Sequence, residues 1–146
     1  MRKFLPYIIV FAIILTSCKK QLSHNVEIAA DAVRNKTLVY YDTVTEDDAY
    51  VHLMSNSNTE DLLILINDEN PILRYYAFIG LYERNYAQLD DIFVKYKNDE
   101  QQILISNGAC LKSLTPVNKL FEEVISKDSY YTYLFKTNKY RNTAFK

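Results

Sequence analysis

Four side chains in this sequence belong to the types that most often act as nucleophiles, metal ligands or proton carriers: Cys18, Cys110, His24 and His52. A catalytic thiol needs a base beside it, and a metal site needs several ligands at defined spacing. No HExxH pair, no His and Cys at metal-ligand spacing and no glycine-rich phosphate loop occurs. The sequence therefore predicts no catalytic residue, no metal site, no cofactor and no small-molecule substrate, so we expect a protein that is not an enzyme.

Taken singly, the same residues favour structural roles. A lone histidine on a helix, such as His52, is more often a surface residue than a ligand. Cys110 follows Gly108 and Ala109 on a predicted helix, and a free cysteine is among the most buried residue types. The acidic run at 46–48 could be a cation site, but acids directly after Thr45 are better explained as the start of a helix.

Cys18 differs from these residues because it ends the most apolar part of the chain. The run at 4–15 covers roughly 18 Å as a helix, too short for a hydrocarbon core of about 30 Å. Arg2 and Lys3 precede it and small residues follow it, which is typical of a secretory signal. We expect residues 1–17 to be a signal peptide outside the fold. The alternative, a buried N-terminal helix, fits less well because no face of the run is polar.

The letters LTSC at 15–18 resemble the lipobox of bacterial lipoproteins. The resemblance implies that Cys18 becomes the first residue, with a diacylglyceryl group on its thiol and an acyl chain such as palmitate on its amine. Two or more chains anchor a protein stably to a membrane. Residue 19 is not Asp and no acidic cluster follows, which by analogy implies an outer membrane position facing the periplasm. Residues 18–24 would be the lipidated cysteine and its tether.

Length and composition limit the fold and function classes to which the rest of the chain can belong. Removing 17 residues from 146 leaves 129, enough for one domain. The leader carries two basic residues and no acidic one, so the net charge changes from −1 to −3, and no basic footprint for nucleic acid remains. Two glycines and two prolines in the mature part argue against an all-β domain. With one cysteine besides Cys18, no disulfide framework is expected.

Helix start signals divide the first half of the mature chain. Asn25 is a predicted N-cap for a helix at 25–34, and Thr45 for one at 45–54. Ser57 and Glu60 form a predicted capping box for the following apolar segment. The β-like run TLVYY at 37–41 is either a strand or an extended connection.

The second half shows a period of 29 residues, in both its N-cap candidates and its central apolar residues. The caps are Asn70, Asp99 and Asp128, and the apolar residues are Leu63, Ile92 and Phe121. The period predicts three units of helix A, turn and helix B, at 59–66 with 70–84, 87–97 with 99–112, and 116–126 with 129–137. The last B segment, SYYTYLFK, could also be a strand.

The stretch NPILRYYAFIGL at 70–81 is similar to the B helix of HEAT repeats, through Pro71, Leu73, Arg74, Ala77 and Leu81. The resemblance implies an all-α fold, a short right-handed α-solenoid of HEAT-like helix pairs over residues 25–137, followed by a basic tail at 138–146. In such a repeat the arginine ties the turn together, here to Asp68, rather than binding a ligand. The second copy lacks the proline and the arginine.

One side of the predicted helix 70–84 is aromatic and apolar, and consists of Tyr75, Phe78, Ile79 and Tyr82. The B helices of a solenoid line its concave face, and clustered exposed aromatic residues typically mark interaction sites. We therefore expect these residues to contact a protein partner. In the alternative, the helices at 25–34 and 45–54 cover this side.

These observations predict a membrane-anchored periplasmic lipoprotein that acts as a protein-binding or scaffold module, with an unknown protein partner and no nucleic acid. An immunity-type lipoprotein that neutralises a toxin is an alternative within binding proteins. A hydrolase with dispersed site residues is the alternative from another class.

Overall fold

The computed structural model describes residues 21–107 and 111–126 of the chain. This part is mostly helical with a small three-stranded sheet. The predicted signal peptide, Cys18, Cys110, the segment 129–137 and the tail 138–146 lie outside the described residues. The elements in chain order are α1 (His24–Arg34), β1 (Val39–Tyr40), a 3-10 segment (Tyr41–Glu46), α2 (Asp48–Asn56), α3 (Thr59–Leu65), α4 (Pro71–Glu83), α5 (Leu89–Tyr96), β2 (Gln102–Ser106), β3 (Lys112–Pro116) and α6 (Val117–Ile125).

Side-chain caps define where three of the helices begin. The Asn70 side chain accepts from two backbone N–H groups of α4, and Pro71 occupies the first helical position, as predicted. The capping box of α3 is formed by Asn58 and Asp61, one residue later than the predicted pair. Helix α2 begins at Asp48 with Asp47 as its cap, because the preceding residues, including Thr45, form the 3-10 segment.

Helix α4 lies at the centre of the core, with ten consecutive residues buried from Ile72 to Leu81. Helices α1 and α3 contact it, and α6 packs against it as well. The rings of Phe78 and Phe121 stack, with centroids 3.9 Å apart. The absence of a side chain at Gly80 leaves room for Met54 and Leu62. A Cβ at this position would lie only 2.5 Å from the Met54 sulfur and 2.9 Å from a Leu62 methyl carbon. An all-round apolar helix of this kind is stable only when other elements surround it.

The sheet has the order β1-β2-β3, with β1 parallel and β3 antiparallel to β2. Its inner face adds Val39, Ile103 and Ile105 to the core. The run at 37–41 therefore contains a strand. The predicted helix at 99–112 is wrong, since strand β2 occupies its middle. The alternating β-branched residues Ile103 and Ile105 point to the core only in an extended backbone.

The predicted repeat is therefore not uniform. Helices α3 and α4 form the first predicted pair, and α5 and α6 match the predicted A helices at 87–97 and 116–126. The second unit, however, is a helix followed by a strand. The coarse expectation of a predominantly helical domain is confirmed, while the described residues do not show three helix pairs. No helix within them is long and apolar enough to cross a bilayer.

Candidate functional site

The sequence predicted that the aromatic side of α4 is an exposed partner surface, but in the structure this side is buried. Tyr75, Phe78 and Ile79 have no exposed surface, and Tyr82 is partly buried against the core. Phe78 packs on α6 through Phe121. A partner could not reach the three buried residues in the folded domain, so the prediction is wrong for them. Both sides of α4 are buried because other helices, including α3 and α6, pack against it.

Arg74 is a structural residue, as the sequence predicted. Its side chain is buried, and all five of its N–H donors are used. Two bonds of 2.7 and 3.0 Å reach the backbone carbonyls of Asp68 and Glu69. Two more, of 3.0 and 2.7 Å, reach one carboxylate oxygen of Asp99, and the fifth reaches Gln101 at 2.7 Å. The turn before α4 is thus tied to the segment before β2, and no donor of Arg74 is left for a ligand.

Arg34 and Arg84 also hold backbone segments together. Arg34 donates to Asp68 at 2.7 Å, which joins α1 to the turn before α4 and raises the pKa of the guanidinium. Arg84 donates to the carbonyls of Met54 and Ser57, at 3.1 and 2.9 Å, where α2 ends. These cations therefore stabilise the fold and do not form a basic surface.

Tyr50 and Tyr76 form a pair of buried tyrosines whose pKa values are both raised. The rings of Tyr50 and Tyr76 meet edge to face at 5.4 Å, and the Tyr50 hydroxyl donates to Glu83 at 2.5 Å. Burial raises the pKa of both phenols above the ordinary value, and the charges of Glu83 and Asp47 raise it further. Both phenols stay protonated at neutral pH, so neither can act as a base. The pair is part of the core rather than a catalytic site.

The two histidines lie on the surface. His24 is the first residue of α1, and His52 is exposed on α2, which is the surface position that the sequence predicted for it. Within residues 21–107 and 111–126, no three His, Cys, Asp or Glu side chains are grouped so that they could hold a metal ion.

The outer face of the sheet carries exposed apolar side chains. Leu114 is 62% exposed, and Tyr40 on β1 is 52% exposed. Leu114 pairs across the strands with Leu104, which is only partly buried. Leu111, just before β3, is 69% exposed. We call Tyr40, Leu104 and Leu114 the hairpin face. Because side chains alternate along the strand, Leu111 falls on the side of Ser113, and it is not part of this face. Large apolar side chains that cluster on a surface are typical of interaction sites.

Strand β3 has an unusual distribution of polarity. Its pairing with β2 places Ser113 opposite Ile105 and Thr115 opposite Ile103, so the polar residues of β3 share the face whose β2 residues are buried. Leu114 points to the opposite face. In a sheet with one buried face the usual arrangement is the reverse. The inner side of β3 is therefore not closed by apolar packing.

A cleft of about 430 Å³ lies along this polar side of β3. Its apolar residues are Ile105 and Leu120, both buried. Its polar residues come from four parts of the chain and are Tyr41, Asp42, Asn107, Ser113, Thr115 and Glu123. The hydroxyls of Ser113 and Thr115 lie 3.3 Å apart and share a hydrogen bond.

The cleft is negatively charged. Asp42 and Glu123 supply two carboxylates, and no basic residue of the described ranges 21–107 and 111–126 lines it. Neither carboxylate takes part in an ion pair or hydrogen bond with the part of the chain that the structure describes. The arrangement can accept hydrogen bonds from a cationic or neutral group and disfavours an anion.

Sequence reasoning missed both the hairpin face and the cleft. Their signal was the alternation in QILIS followed by Asn107 and Gly108, which is typical of a strand that enters a turn. The assignment of 99–112 to a helix concealed it. No family model, curated protein or solved structure matches this chain.

Proposed function

We propose that this protein is a membrane-anchored lipoprotein whose helical domain binds a protein partner through the hairpin face. The observation that carries the proposal is the exposure of Leu114 and Tyr40 on the outer face of a single small sheet. Such residues lose contact with water when a partner covers them, and each Å² of buried apolar area contributes about 25 cal/mol. The partner surface is therefore the sheet, not the aromatic side of α4.

The anchor in this proposal is Cys18, supported by the LTSC letters and the short apolar run before them. Helix α1 begins at His24, so only a few residues separate Cys18 from the folded domain. At about 3.3–3.6 Å per extended residue, the tether keeps the domain within roughly 20 Å of the lipid. A partner would thus be in the same membrane or close to it, and the outer membrane facing the periplasm is the proposed location.

The HEAT-like character of the domain is a proposal for the pair α3 and α4 alone. It is supported by the proline and asparagine at the start of α4, and by the bonds from Arg74 to the turn carbonyls. Helical repeats of this kind are scaffolds that carry binding surfaces. These features of α3 and α4 favour a binding module and do not indicate an enzymatic reaction.

A paired substitution tests the proposed surface. Leu114 and Val94 are exposed to similar extents, 62% and 59%, but Val94 lies on α5, away from the sheet. We expect Leu114→Gln to remove the protein that co-purifies with the wild type after crosslinking in cells, and Val94→Gln to retain it. Equal recovery with both variants, at equal expression, would contradict the proposal.

A further inference from the structure

We propose that the cleft beside β3 binds the guanidinium group of an arginine side chain that belongs to the partner. This inference rests on the proposed function and names the chemistry that the partner presents. Its basis is the cavity between β3, the 3-10 segment and α6, in which Asp42 and Glu123 face no cation of the described chain.

The lining favours a cation that has several hydrogen-bond donors. Ile105 and Leu120 lie at the buried base of the cleft, while Asp42 and Glu123 can accept hydrogen bonds from a charged group. Tyr41, Asn107 and the two hydroxyl residues of β3 add further oxygen atoms. A volume of about 430 Å³ lies within the usual range for pockets that enclose small groups.

Arginine fits this lining better than a metal ion or a lysine. The two carboxylates come from different elements, and a planar group with five donors can bond to several acceptors at once. A metal ion would need more charged ligands, and no suitable group of three is found in residues 21–107 and 111–126.

The cleft and the hairpin face lie on opposite sides of β3, which is an edge strand of the sheet. Ser113 and Thr115 line the cleft on one side of β3, and Leu114 between them points to the other side. A partner that extends around this edge would therefore contact Leu114 on one side of β3 and reach the cleft on the other. Apolar contact at the face and a charged hydrogen bond beside it is a common composition for an interface.

The test uses the full chain, purified in detergent, with labelled methyl groups of isoleucine and leucine observed by NMR. The probe is N-acetylarginine amide, and its uncharged isostere N-acetylcitrulline amide is the matched control ligand. We expect saturable shifts of the Ile105 and Leu120 methyl signals with the arginine probe. The citrulline compound should bind at least tenfold more weakly, and the Leu53 methyl signals should not move.

Charge-removing variants complete the test. Asp42→Asn with Glu123→Gln should weaken the arginine probe at least tenfold, whereas Asp91→Asn with Glu100→Gln, two exposed carboxylates elsewhere, should not. Equal binding of the two probes, no shift at Ile105 and Leu120, or unchanged binding in the cleft variant would overturn the inference. Because the titration needs no partner, these outcomes are separate from the Leu114 experiment, which tests the proposed function itself.

Discussion

Replacement of Arg74 by methionine removes the most highly connected side chain in the described part of the domain. Methionine keeps most of the apolar stem and fills similar space, so the change isolates the guanidinium. The carbonyls of Asp68 and Glu69 lose their bonds from the guanidinium. Among the described residues, the carboxylate of Asp99 keeps only the bond from the backbone N–H of Gln101, at 3.2 Å. The ion pair is well enclosed, with side-chain exposures of 7% and 11%.

Removing one partner of such a pair typically costs about 3–5 kcal/mol, because the other charge stays buried without compensation. Small domains are stable by about 5–15 kcal/mol in total, so the loss is a large part of the whole. We expect Arg74→Met to lower the free energy of unfolding by about 3–5 kcal/mol in urea denaturation followed by circular dichroism. We expect Arg74→Met combined with Asp99→Asn to lose less than the sum of the two single changes.

A cost below about 1 kcal/mol for Arg74→Met would refute this reasoning, since it would mean that the bonds contribute nothing net. Additive costs in the double variant would show that the arginine and the aspartate do not interact. Arg84→Met is a matched control, because Arg84 also donates to backbone carbonyls but forms no ion pair with a carboxylate of the described residues. It should cost clearly less.

Three further changes test the core and the anchor. Gly80→Ala gains about 1 kcal/mol in helix propensity, but its new Cβ overlaps Met54, and such overpacking costs about 1–3 kcal/mol. We therefore expect the free energy of unfolding in urea to fall by up to about 2 kcal/mol. The loss should be smaller when Met54→Ala is also present. Tyr76→Phe removes a buried hydroxyl that makes no well-formed hydrogen bond and lies near the charge of Asp47. We expect the melting temperature to stay unchanged or to rise. A clear decrease would show that the hydroxyl does form a stabilising hydrogen bond. Cys18→Ala should abolish incorporation of a labelled fatty acid into the protein in cells, and retained label would contradict the proposed anchor.

The sequence predicted the helices that have strong local start signals. Asn70 with Pro71 specified the start of α4, and the structural role of Arg74 followed from its place after that start. Cap positions at α2 and α3 differed by one or two residues, because neighbouring Thr, Asp, Ser and Asn residues are all good caps. Such signals are local, so they can be recognised without knowledge of the tertiary fold.

The errors came where tertiary context decides. The 29-residue period placed a helix at 99–112, but the alternation of Ile103 and Ile105 follows the pleat of a strand that pairs with β1 and β3. The aromatic side of α4 was expected to be exposed because a solenoid would leave it open. Its burial depends on where α6 packs, and Phe121 stacks on Phe78 across a distance of 43 residues in the sequence. Amphipathic patterns identify apolar faces but not what covers them.

The central claim, a membrane-anchored domain that binds a protein through the hairpin face, is tested most directly by photo-crosslinking in cells. A photoreactive amino acid is placed at position 114, and at position 94 as the control of similar exposure. We predict a discrete crosslinked product in the membrane fraction from position 114 and none from position 94. When Cys18 is replaced by alanine, the crosslinked product should disappear from the membrane fraction. The same products from both positions, or no product from position 114, would contradict the account.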